Sequence, residues 1–341
     1  MDIPALLNAL IDKRDLTGAE MLALMRAIMR GEVPPAQLAG LLIALRSKGE
    51  CVEEIVAAAR VMRELSTKVP VRDAEGLVDT CGTGGDCTHS FNVSTASAIV
   101  AAAAGARVAK HGGRSVSSAC GSADVLEALG VNLKLTPAQV AQCIEHLGVG
   151  FMFAPNHHSA MKHAAPVRKE LGVRTLFNLL GPLTNPASAP NQIMGVYDPG
   201  LVSRLARALR ELGSRHAMVV SGAEGLDEIS IISTTHVAEL KDGRISEYRI
   251  EPGQFGLAVH ALEAIQARSV QDARQKLLGV LEAEPGAAAD IVALNAGAAI
   301  YLAGIAGNLE EGVRLAVQAI DSGAAKTKLQ QLIDFTHRLS I

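Results

Sequence analysis

Residues 77–129 read LVDTCGTGGDCTHSFNVSTASAIVAAAAGARVAKHGGRSVSSACGSADVLEAL. Three glycine-rich pieces fall inside this stretch: Gly82-Thr83-Gly84-Gly85-Asp86, His111-Gly112-Gly113-Arg114, and Ser117-Ser118 followed by Gly121-Ser122. Glycine allows close backbone approach and positive φ, so successive amides can point at one anion. Serine and threonine hydroxyls add donors, and Lys110 and Arg114 add positive charge. A polyphosphate ligand fits that inventory. Gly76-Leu-Val-Asp-Thr80 reads as a strand entering the first loop. Asn92-Val-Ser-Thr95 opens an Ala-rich helix, where free amides favour an anion. Arg107-Val-Ala-Lys110 reads as a second short strand, and Ser122-Ala-Asp124 as the cap of a helix through VLEALG. The first loop lacks the spaced third glycine of a dinucleotide fingerprint and the GKS or GKT ending of a P-loop.

Outward from this core the pattern continues. Residues 3 to 66 read as four short helices with apolar residues recurring at three and four. Thr17-x-x-Glu20 is a capping-box pattern. Thr136-Pro137 caps a further helix, and Val149 to Phe153 is a third strand. DPGLVSRLARALRELG (198–213), HAMVVSG (216–222) and further short strands to Ile250 follow, with two Ala-rich helices in 287–304 and 309–339. Strand–helix alternation argues for an α/β fold whose mostly parallel central sheet is flanked by helices. Ligands then sit beyond the carboxyl ends of the strands, where the glycine loops fall.

Composition narrows the function classes. Hydrophobic residues make up 49% of the 341 while aromatics are 3%, so Ala, Leu, Val and Ile carry the core. The formal charge of -3 gives no global attraction for nucleic acid or an acidic membrane surface. Five cysteines without a CxxC pair disfavour a disulfide framework and a structural zinc site, and point to a cytoplasmic protein. The longest apolar run, Val93 to Ala109, is broken by Ser94, Thr95, Ser97, Gly105 and Arg107, so no membrane span is expected. His157, His158 and His163 lack a carboxylate or cysteine at ligand spacing. Asp227-Glu228 follows Gly225 after the apolar run Met218-Val219-Val220. On a regular strand the two would face opposite ways, but in a turn both can reach one cation.

GTGGD, NVST, KHG-RSVSS, GSADVLEALG, PVRKELGVRTLFNLLGPLTNP and GLDE, in this order and spacing, closely resemble the anthranilate phosphoribosyltransferases of tryptophan biosynthesis. The resemblance spans essentially the whole chain, and the run from Pro166 to Pro186 is specific to that family. It implies a nucleoside-phosphorylase-like architecture. A helical domain at 1–70, joined by part of 160–185, accompanies an α/β domain at 71–341 that binds 5-phosphoribosyl-1-pyrophosphate. It implies a homodimer through the helical domain, and Mg2+ as cofactor. Carried across, Gly82, Gly85, Asp86, Ser90, Asn92, Val93, Ser94, Thr95, Lys110, Ser117, Ser118 and Ser122 would surround the sugar donor. Gly82, His111, Gly113, His158 and Arg168 would line the anthranilate pocket, with Arg168 on the carboxylate. Ser94, Asp227 and Glu228 would reach magnesium, and Lys110 and His111 are the catalytic candidates.

The implied reaction displaces pyrophosphate from ribose C1 with the anthranilate amine, and needs no protein nucleophile. The sequence departs from the family's KHGNRSVSSKSGS: Gly113 replaces Asn, and Ala119-Cys120 replaces Lys-Ser. The phosphate-side residues are intact, so the expected consequence is a weakened or reshaped anthranilate pocket rather than lost activity. Two rivals are a nucleoside phosphorylase of the same fold, against which the Pro166–Pro186 run argues, and a non-catalytic nucleic-acid-binding relative, against which the net charge and Asp227-Glu228 argue.

Overall fold

The computed structural model describes residues 1–86, 88–114 and 120–339; Ser117 and Ser118, with Cys87 and Ala119, lie outside the described residues. The chain begins with four helices, α1 (Ile3–Ile11), α2 (Gly18–Arg30), α3 (Pro35–Lys48) and α4 (Val52–Leu65). Asp2 caps α1 by accepting from the Ala5 amide, and the Thr17–Glu20 capping box starts α2 as its sequence predicts. Then come β1 (Leu77–Gly82), α5 (Val93–Ala103), β2 (Arg107–Gly112), α6 (Ser122–Ala128), α7 (Pro137–Leu147) and β3 (Val149–Phe153). Short helices α8 (Ala154–His157), α9 (Ala165–Leu171) and α10 (Leu176–Leu180) precede β4 (Asn191–Gly195), α11 (Val202–Glu211), β5 (His216–Gly222), β6 (Thr235–Lys241) and β7 (Arg244–Ile250). Four helices finish the chain: α12 (Val270–Leu281), α13 (Ala287–Leu302), α14 (Leu309–Asp321) and α15 (Ala324–Arg338).

One seven-stranded sheet, in the order β3-β2-β1-β4-β5-β6-β7, holds the molecule together. The five strands from β3 to β5 run parallel, and β6 and β7 are antiparallel. Alternate residues serve opposite faces, as a strand's period of two requires. Met218 and Val220 of β5 join the core containing α5 and α13, while Ala217 and Val219 join the core containing α11 and the helical bundle. Helices therefore cover both faces. The bundle is not an isolated unit: Val167 of α9 and Leu176, Phe177, Leu179 and Leu180 of α10 lie in the same apolar core as Met25, Leu41 and Val61.

Three local expectations are corrected. The helix through VLEALG starts one residue early, with Gly121 as its cap and Asp124 accepting from the Gly121 amide. The stretch 309–339 is two helices, because the chain turns left-handed at Gly323 (φ 73°). Strand β4 and helix α12 have no counterpart in the sequence reading. Asn191 and Gln192 disguise β4 as polar, yet both are buried. Asn191 donates to the Glu75 and Leu77 carbonyls and Gln192 to the Pro182 carbonyl, so their polarity is satisfied inside the sheet.

β4 also sets the position of the site. β1 has β2 on one side and β4 on the other, so the strand order reverses between β1 and β4. A crevice opens at the carboxyl ends of strands where that happens. Here both strands end on glycine, with Gly82 opposite Gly195.

Candidate active site

A cleft of about 820 Å3 opens at this switch point. The loop after β1, the start of α5, the end of β2, the α8–α9 region, α10 and the 225–228 turn all border it. Of the sequence-predicted residues, Gly82, Gly85, Asp86, Ser90, Asn92, Val93, Ser94, Lys110, His111, Gly113, Ser122, His158, Arg168, Asp227 and Glu228 all line this one cleft. Thr95 does not line it; it is buried directly behind, with no partner for its hydroxyl among the described residues.

Lys110 and His111 are neighbours on β2 and so face opposite ways. Lys110 is buried on the α5 side, where its ammonium donates to the Thr80 carbonyl (2.5 Å) and to Ser94 Oγ (3.0 Å). Burial lowers its pKa, and Asp79, Cys81, Glu228 and Asp227 pull it back up. Since an ammonium has three donors, one is left for a ligand. His111 turns the other way, its ring 5.1 Å from that of His158. Burial, then His158 and His157, hold the His111 imidazole down at about 3, and burial with His157 and Lys68 holds His158 at about 4. Both rings are neutral at pH 7, and Nε2 of each has no partner among the described residues. The strand beneath is fixed by buried Asp79, which accepts from the His111 amide (3.2 Å) and from Asn185 Nδ2 (2.7 Å).

Asp227 and Glu228 lie in the turn after β5, and that turn rests on the glycines ending β1 and β4. A Cβ on Gly195 would stand 1.6 Å from the Asp227 carbonyl oxygen, and one on Gly82 would stand 2.4 Å from Asp227 Oδ2. The Gly84 amide donates to Asp227 Oδ2 (2.7 Å), and the Ser94 amide, in the first turn of α5, donates to Glu228 Oε1 (3.1 Å). Packing drives both carboxyls upward, helped by the charge of Asp86. Asp227 lies well above the carboxylate range, and Glu228 is pushed up to about 8 against the pull of Lys110. Such a group of mutually repelling hard oxygens, beside an anion-binding loop, is a donor set that a divalent cation would relieve. Another cluster of ligand atoms, Asp15, Cys51 and Glu54, is not of that kind. There Lys48 already supplies the cation, 2.6 Å from Asp15 and 2.9 Å from Glu54.

The opposite end of the cleft is less polar. Arg168 of α9 lies with its guanidinium 5.2 Å from the centre of the Phe177 ring and has no acidic partner among the described residues. Burial pulls its pKa below the ordinary value. A half-buried cation without a counter-charge is a place for an anionic ligand. Gly113 is open: the nearest atom to a Cβ built there is Ala154 Cβ at 3.9 Å, so space replaces the expected asparagine.

Arg114 corrects the sequence reading. Its guanidinium pairs with Asp124 (2.7 Å) and Glu127 (2.6 Å), so its charge is already committed. The three histidines separate: His157 Nδ1 lies 2.9 Å from the Thr67 carbonyl, His158 faces His111, and His163 packs over Gly31. The sequence reading missed Lys162, Asn178 and Gly181, which also border the cleft. Only the family-specific run 166–186 hinted at the last two.

Fold and cleft together define a glycosyl-transferring class of protein. Residues 4–66 match the model of the glycosyl transferase family's helical bundle domain, and residues 74–326 that of its a/b domain. The chain is 63% identical to the anthranilate phosphoribosyltransferase of Chromobacterium violaceum over 98% of each. It superposes on the crystal structure of the Thermus thermophilus enzyme with a TM-score of 0.92 at 44% identity, covering 99% of this chain and 100% of that one. The Saccharomyces cerevisiae enzyme in complex with 5-phosphoribosyl-1-pyrophosphate (PRPP) and Mg aligns with a TM-score of 0.84 at 29% identity, over 94% of this chain and 92% of that one. The chain belongs to the anthranilate phosphoribosyltransferase family.

Proposed function

We propose that this protein transfers the phosphoribosyl group of PRPP to the amine of anthranilate, releasing pyrophosphate, in tryptophan biosynthesis. The observation that carries this reading is the division of the cleft. One half gathers glycine-loop amides, the start of α5, Lys110 and the Asp227-Glu228 pair, while the other presents Arg168, without an acidic partner among the described residues, beside Phe177 and two neutral histidines.

In the donor half, Gly82, Gly85, Asp86, Ser90, Asn92, Val93, Ser94 and Lys110 would surround the sugar and its diphosphate, with Thr95 behind them. Ser122 would close the far side; Ser117 and Ser118, which the resemblance adds to the donor set, lie outside the described residues. Thr83 Oγ1 and Asn92 Oδ1, buried without partners among the described residues, support a polar ligand here. Ser94, Asp227 and Glu228 would hold magnesium, which neutralises charge on the departing pyrophosphate when bound. Lys110 adds a fixed positive charge to the same leaving group, and the loop amides are oriented before the donor arrives.

In the acceptor half, the Arg168 fork would take the anthranilate carboxylate and fix the ring. Gly82, Gly113 and His158 would line the rest. Neutral His111, whose Nε2 has no partner among the described residues, can accept a hydrogen bond from the amine and hold it on line with ribose C1. Arg168→Lys keeps the charge but loses the bidentate fork. It is expected to raise KM for anthranilate about tenfold while KM for PRPP stays within about twofold. Steady-state titration of each substrate separates the two.

The same reading takes residues 1–70, joined by part of 160–185, as a helical domain and 71–341 as the donor-binding domain. The core that α9 and α10 share with the bundle supports this. It also takes the protein as a cytoplasmic homodimer joined through the helical domain. Exposed Ile11 of α1 and Ile43 of α3 support such a contact. Among the described residues no helix is long and apolar enough to cross a membrane. Loss of anthranilate fluorescence on adding PRPP, with and without magnesium, tests the activity. Fluorescence unchanged in the complete mixture would refute it.

A further inference from the structure

We propose that Arg174, outside the cleft, is a positioning residue that sets donor affinity by holding the glycine loop from behind, and that Tyr197 and Arg46 hold Arg174 in turn. The inference rests on the donor reading above.

Arg174 lies in the link between α9 and α10 and does not line the cleft. One of its guanidinium nitrogens donates to the Gly85 carbonyl at 2.7 Å. Its Cδ would lie 3.5 Å from a Cβ on Gly85, so the side chain runs along the back of the loop. The guanidinium sits 3.9 Å from the centre of the Tyr197 ring, a close cation–π stack. Tyr197 follows β4, the strand whose last residue lies opposite Gly82. Its hydroxyl accepts from Arg46 of α3 at 2.7 Å.

Two successive loop residues are therefore clamped by elements distant in sequence. Asp227 takes the Gly84 amide, and Arg174 takes the Gly85 carbonyl. A loop rich in glycine has much conformational freedom to lose when it closes on an anion. Fixing it beforehand moves that cost from binding to folding. Because Arg46 belongs to the bundle, the bundle is tied to the donor loop through three side chains. No charged partner competes for Arg174 among the described residues, so its charge is free to strengthen the bond to the carbonyl.

The test is steady-state kinetics of the full-length enzyme with Arg174→Ala, Arg174→Lys, Tyr197→Leu and Tyr197→Phe, titrating PRPP and anthranilate separately and recording Tm. Arg174→Ala is expected to raise KM for PRPP about tenfold, with KM for anthranilate within about twofold. Arg174→Lys, which loses the planar stack, should fall between wild type and Ala. Tyr197→Leu should move KM for PRPP in the same direction, and Tyr197→Phe, which keeps the ring, should move it less. The proposal is overturned if Arg174→Ala leaves KM for PRPP unchanged, or raises both KM values alike. If Arg174→Ala does not fold, unchanged KM for PRPP in both Arg174→Lys and Tyr197→Leu overturns it. Wild type without PRPP-dependent turnover in the same assay would instead defeat the donor reading.

Discussion

Asp227→Asn and Glu228→Gln are each expected to lower kcat/KM by about a hundredfold or more at saturating magnesium, while leaving Tm of the metal-free protein unchanged or raised. The two halves of that expectation come from one cause. In the folded chain these carboxyls are held where packing and the charge of Asp86 oppose ionisation. Replacing one of them by its amide removes repulsion and keeps the shape. The acceptor oxygen for the Gly84 or Ser94 amide also survives in Asn or Gln. The fold therefore loses little. The reaction loses a ligand to the ion that would neutralise the departing pyrophosphate, a contribution of several kcal/mol. Activity assays over a magnesium titration, beside thermal unfolding with chelator present, read both halves. A variant that unfolds readily yet keeps wild-type kcat/KM would reverse the assignment and make the pair structural.

Gly195→Ala is the second large effect, and it comes from a residue with no chemistry of its own. The added methyl would overlap the Asp227 carbonyl oxygen, 1.6 Å away, and its carbon, 2.3 Å away. Both atoms are backbone, so no rotamer change relieves the clash and the 225–228 turn must shift by an ångström or more. Overpacking of this kind costs about 1–3 kcal/mol of stability. Displacing a catalytic group by about 1 Å can cost about a hundredfold in rate. The expected outcome is a folded protein with lowered Tm and kcat/KM down about a hundredfold. KM for anthranilate should change little, since Arg168 and His158 lie on other elements. Wild-type rates in Gly195→Ala would mean that the turn's position is not what Gly195 secures.

How much of this was legible beforehand depends on the range of the interaction. Local signals read well: Thr17-x-x-Glu20 and Thr136-Pro137 start helices where the sequence says, and in both the structure adds bonds between residues three apart. The alternation of strand and helix was enough for a mostly parallel sheet. The Lys110–His111 pair divides the cleft because a strand alternates, a rule that needs only the assignment of β2. What sequence reasoning lost was long-range. β4 had no counterpart in the sequence reading, because the partners that satisfy polar Asn191 and Gln192 are Glu75, Leu77 and Pro182, ten or more residues away. Without β4 the switch point between β1 and β4 is invisible, and so is the reason for Gly195. Arg114 looked like a ligand cation because Asp124 and Glu127 are ten and thirteen residues away, across the start of α6. Arg174 was passed over for the same reason, its partners being Gly85 and Tyr197. The departure at Gly113 was legible as a missing side chain, while the open space beside it appears only in three dimensions.

The most direct measurement is a crystal structure of the protein with PRPP and magnesium, compared with one grown with PRPP and chelator. The account predicts the diphosphate against Gly82–Asp86 and the Asn92–Ser94 turn, with the ion between it and Asp227-Glu228, and weaker or absent donor density in chelator. Donor bound elsewhere in the cleft with the glycine loop untouched, or equal occupancy without the metal, would contradict it.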